Sequence, residues 1–86
     1  MLLQNELQFV ESKMIELSKK HDLQSYANEL KESGEYKDFL TRFSWDLIRA
    51  ACGCNYLCYL YDKYGANDTH ITTLAKQAIK VLKLEF

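Results

Sequence analysis

Three cysteines, two histidines and one tryptophan carry most of the chemistry this chain of 86 residues can offer. Cys52, Cys54, Cys58, His21 and His70 are all zinc-ligand types, but structural zinc sites usually set their Cys-x2-4-Cys pairs on knuckles or turns. Here Cys54 and Cys58 fall one turn apart in a helical pattern, and Cys52 points elsewhere. Small buried thiols that fill helix contacts are the expected reading, with no metal and no other cofactor. A catalytic thiol needs a base and an electropositive surround, and the neighbouring sequence supplies neither. Paired carboxylates, a glycine-rich phosphate loop, a nucleophile elbow and an EF-hand loop are all missing from the sequence. The expectation is a protein that is not an enzyme.

Trp45 stands three residues after Arg42 and four before Arg49, so all three can share one helical face. Guanidinium groups over an indole make a hot spot for an anion, a nucleotide or a protein, because Trp, Tyr and Arg dominate such sites. The plainer reading is a ladder of ion pairs, since Asp38, Arg42, Asp46 and Arg49 follow at steps of four, four and three. Tyr56, Tyr59, Tyr61 and Tyr64 crowd the next stretch. Tyrosine suits an interface because its ring packs while its hydroxyl stays wet. The candidate partner-binding residues are therefore Arg42, Trp45, Arg49, Tyr56 and Tyr59. Lys76, Lys80 and Lys83 form a basic stripe near the C-terminus, which a solvated helix face explains as well as a phosphate track.

Helices must position these groups. There is no proline and there are three glycines, a composition that favours long helices. Tyr36, Leu40, Phe43, Leu47, Ala50, Cys54, Leu57, Tyr61 and Tyr64 recur at alternating steps of four and three. That seam predicts one continuous helix over 35–64, unbroken through Gly53 and about 45 Å long at ~1.5 Å per residue. Gly53 would then mark a close crossing by another helix. A first helix is expected over about 3–20, from Leu3, Leu7, Val10, Met14 and Leu17, with His21 extending the stripe. A second is expected over about 23–32, capped by Asp22 and ended by Gly34. A fourth is expected over about 69–84, capped by Asp68 or Thr69, with Ile71, Leu74, Ala75, Ala78, Val81 and Leu82 inward. The predicted fold is all-α: one domain over 1–86, a compact antiparallel bundle of four helices around the long third.

Net charge is −1, so no global signal for nucleic acid or an anionic membrane is present. No apolar run reaches the ~18 residues of a membrane span. The start turns polar at Gln4, unlike a secretory signal, and an odd cysteine count argues for reduced thiols in a cytoplasmic protein. Residues 50–61 are apolar or aromatic nearly all round, and such a helix must be covered on every side. A second copy or another protein is the expected cover, and self-association into a homo-oligomer through this segment is predicted. These readings predict a small non-catalytic protein-binding module, an inhibitor, immunity or regulatory factor of the kind phages and mobile elements encode. The alternative is an oligomeric binder of a small anionic ligand such as a nucleotide, held by Arg42, Arg49 and the C-terminal lysines.

Overall fold

The computed structural model describes residues 4–85, and among them lie five α-helices: α1 (Gln4–Ser18), α2 (Leu23–Ser33), α3 (Phe39–Cys52), α4 (Cys54–Tyr64) and α5 (Asp68–Leu82). Leu3, the first position of the predicted α1 stripe, lies outside the described residues. No helix among the described residues is long and apolar enough to cross a membrane.

The long central helix does not exist. It divides at Gly53 into α3 and α4, giving five helices where four were expected. Gly53 has φ 90° and ψ 162°, a conformation essentially reserved for glycine. Its N–H donates to the Arg49 carbonyl at 2.9 Å, closing α3, and its own carbonyl accepts from the Tyr56 N–H at 3.2 Å, opening α4. No atom lies within 4 Å of where a Cβ would stand, so backbone conformation and not a crossing helix accounts for the glycine. A straight helix of about 45 Å would also overrun the molecule, whose longest extent is 34 Å.

The start of α3 was also expected too early. Asp38 is its N-cap: Oδ1 accepts from the Thr41 N–H at 3.3 Å and Oδ2 from the Thr41 hydroxyl at 2.7 Å. Tyr36, the first residue of the seam, therefore precedes the helix and stays exposed.

The other helices keep close to their predicted bounds. Asp22 caps α2 by accepting from the Ser25 N–H at 3.1 Å, and Gly34 ends it at φ 66°. Asn67, not Asp68 or Thr69, caps α5, accepting from the His70 N–H at 3.1 Å. In α5 the inward set is Ile71, Leu74, Ala75, Ala78 and Ile79, while Val81 turns outward. That spacing is a regular helical stripe, and Val81 falls off its far edge. His21, expected within the α1 stripe, lies beyond the end of α1 and is exposed.

Helices α1, α3 and α5 pack on one another, with α2 and α4 each laid against α3. Val10, Met14, Phe43, Leu47, Ile48, Leu60, Ile71 and Leu74 fill the core between them. The C-terminal segment is tied back to α2, where the Gln24 side chain both donates to the Glu85 carbonyl and accepts from its N–H.

Candidate functional site

The predicted site residues fall into two separate places. Arg42, Trp45 and Arg49 line an open groove of about 450 Å³, with Tyr36, Lys37, Asp38, Thr41 and Asp68 forming the rest of its walls. Tyr56 and Tyr59 belong instead to an aromatic cluster where α4 meets α1.

The groove is built on the first three turns of α3. Steps of three, four and seven bring Arg42, Trp45 and Arg49 onto one face, as the sequence predicts. Trp45 is half-buried, with its ring packed on the core and its Nε1 donating to Asp68 Oδ1 at 2.8 Å. That bond joins α3 to the first turn of α5 across 23 residues of sequence. Arg42 donates from Nε to Asp46 Oδ2 at 3.2 Å and lays its guanidinium over the Tyr36 ring, 5.2 Å from the centroid. Arg49 Nη1 lies 3.7 Å from Asp46 Oδ1, a charge contact too long for a hydrogen bond. Asp46 also accepts from the Tyr26 hydroxyl. Burial, then this bond to Asp46, pushes the Tyr26 phenol up to about 12.

Only part of the predicted ladder forms, therefore. Arg42, Asp46 and Arg49 make it, while Asp38 is taken by the cap of α3. The Thr41 hydroxyl and then its amide hold the Asp38 carboxyl below its usual range, and Lys76 of α5 acts on it in the same direction. Lys80 and Lys83 do not line the groove.

The second cluster centres on Glu6. Its carboxylate is buried, accepting from the Tyr56 hydroxyl at 2.8 Å and from the Tyr59 hydroxyl at 3.3 Å. The Phe9 ring stacks on Tyr56 with centroids 4.8 Å apart. Burial, reinforced by the Glu6 bond, raises the Tyr56 phenol far above its ordinary value. Lys63 donates to the Tyr59 hydroxyl at 3.3 Å, and Tyr64 lies against the His70 ring. Tyr56 thus ties α4 to α1, while Tyr59 keeps one side open to solvent.

Of the three thiols only Cys52 fills a helix contact, half-buried against the core, whereas Cys54 and Cys58 are exposed on α4. Burial pushes the Cys52 thiol up to about 11. Among the described residues no group of three or more His, Cys, Asp or Glu is arranged to hold a metal ion.

Sequence reasoning missed Asp68 and Glu6 as members of these clusters. Asp68 meets Trp45 only through tertiary packing, and nothing local announces it. Glu6 did leave a signal, because it stands four residues before Val10 and eight before Met14, on the buried stripe of α1. Compared with known proteins, the chain matches no family model, no curated protein and no solved structure.

Proposed function

We propose that this chain is a small non-catalytic protein-binding module that acts by occupying a partner's surface, as inhibitor, immunity and regulatory factors do. One observation carries the reading: a half-buried tryptophan, fixed by Asp68, forms part of an open groove between two arginines that are about half exposed. Tryptophan and arginine are enriched among the few residues that carry most of the binding energy in protein interfaces. The exposed side of α4, with Cys58, Tyr59 and Tyr61, offers a further apolar surface on which a second copy is one candidate partner.

The test compares complex formation in the source cell by the wild-type chain, Trp45→Ala and Arg49→Ala. Trp45→Ala is expected to weaken the complex by about 2 kcal/mol or more, with the helical circular-dichroism spectrum retained. A complex indifferent to Trp45 rejects the reading, and an unfolded Trp45→Ala passes the decision to Arg49→Ala, whose side chain is solvated.

A second reading, an oligomer that binds a small anionic ligand such as a nucleotide, draws support from Lys76, which acts on Asp38 at the groove. Native mass separates the two by reporting copy number and any retained ligand together.

A further inference from the structure

We infer that Cys54 and Cys58 together form a two-thiolate site for copper(I) on the outer face of α4, a property independent of the partner-binding groove. Free cysteine is among the most buried residue types, and a structural thiol fills a contact. Cys54 and Cys58 are instead exposed and unbridged, and neither packs on the core that Cys52 touches. Four residues apart in one helix, they stand a turn apart and about 40° around its axis, so both lie on the same face.

Distances decide what such a pair can close on. Helical residues four apart hold their Cβ atoms about 5–6 Å from each other. A disulfide needs about 3.5–4.5 Å, so direct oxidation of this pair requires the turn to unwind. An ion held between the two sulfurs, at a metal–sulfur length of ~2.3 Å, spans up to ~4.6 Å. Two side chains on one helical face reach that sulfur separation through χ1 rotation, with the backbone unmoved.

Ligand count then selects the ion. Zinc asks for four ligands, and among the described residues no third His, Cys, Asp or Glu joins the pair. Asp62 stands one turn beyond Cys58 but eight residues from Cys54, about 12 Å along the helix, and its hard oxygens suit other metals. Cys52 lies across Gly53 in α3. Copper(I) is soft, selects thiolates and is satisfied by two of them. Binding exchanges protons and no electrons. Each thiol gives up its proton as its Cu–S bond forms, so one copper(I) ion displaces two protons and keeps its oxidation state. The bound ion also staples the first turn of α4, which no side chain caps.

The test titrates the reduced chain with copper(I) under anaerobic conditions, against a chromogenic copper(I) chelator, and reads stoichiometry by native mass. The expected result is one copper(I) per monomer and slower amide exchange in the first turn of α4. Competition should weaken tenfold or more in Cys54→Ser and, separately, in Cys58→Ser, with Cys52→Ser unchanged and helical circular dichroism retained in all three. Two independent serine variants keep the test decisive if one of them fails to fold. The urea-unfolded chain carries the same thiols without the helical spacing, and equal competition by it overturns the inference. Equal loss in all three variants, one ion shared by two chains, or displacement of the copper by equimolar zinc overturns it as well.

Discussion

Helices α3 and α4 were written in nearly the same apolar alphabet, yet one is built into the core and the other is mounted on it. In α3, Phe43, Ser44, Leu47 and Ile48 are buried. In α4 only Leu60 is, while Tyr61 is 69% exposed and Cys54 and Cys58 face solvent. Gly53 makes the difference. By leaving helical geometry it rotates the second helix relative to the first, so Cys54 and Tyr61 of the seam pass out to solvent while Leu57 and Tyr64 stay against the core. The side of α4 that faces inward carries Tyr56, Leu57, Leu60 and Tyr64, and Tyr56 and Leu60 come from the reverse side of the imagined continuous helix. Apolar residues in a helix state a demand for cover, and the phase of that helix decides which of them receive it.

Substitutions can break this contrast in order of expected size. Phe43→Ala opens a cavity in the fully buried core and should cost about 3–5 kcal/mol in urea unfolding, whereas Tyr61→Ala should stay within about 0.5 kcal/mol. Comparable costs at both positions would erase the distinction. Gly53→Ala should destabilise by about 1–3 kcal/mol, because alanine resists φ 90° even though space is open around it. A stabilised variant would mean that α3 and α4 can merge into one rod.

Tyr56→Phe removes the principal hydrogen bond to the buried Glu6 and should cost about 1–3 kcal/mol, read as a lower unfolding midpoint. Alkaline titration makes the smallest and sharpest comparison. The folded chain keeps the Tyr26 phenol protonated to about 12 and raises Tyr56 as well, whereas a phenol in the unfolded chain ionises near its ordinary 10. The Tyr26 contribution to stability is whole below pH 10 and is lost as pH rises from there through about 12, and that of Tyr56 begins to fall from the same point. Tyrosinate absorbance followed with circular dichroism should show late ionisation coinciding with unfolding, and Tyr26→Phe should remove part of that pH dependence while sparing α4.

Much of the helix content was legible because local chemistry announces it. Asp22 and Gly34 bracket α2 as their types require, and Gly65 ends α4 at φ 61°. The stripe of Val10 and Met14 described the buried side of α1. What could not be read was the phase of α4. Residues 50–61 are apolar on nearly every side, so a seam can be drawn through them in several registers, and a glycine that fits a helix fits a break equally well. The groove was half legible for the same kind of reason. Arg42, Trp45 and Arg49 are neighbours by helical arithmetic, whereas Asp68 reaches Trp45 only through the packing of α5. Tyr56 and Tyr59 were grouped with the arginines on the assumption of a straight helix. Once the helix divides, they turn to Glu6.

The sparse anchoring of α4 also gives the molecule a built-in clock. A helix with Leu60 as its one fully buried residue opens at a lower free energy than the α1, α3 and α5 core, so its amides exchange with solvent before those of that core. Thiol chemistry would keep time on that opening. Cys54 and Cys58 meet an alkylating reagent in the closed molecule, while Cys52, at the hinge and half-covered, waits for α4 to swing away. The interval between the first two labels and the third measures how often the arm lets go.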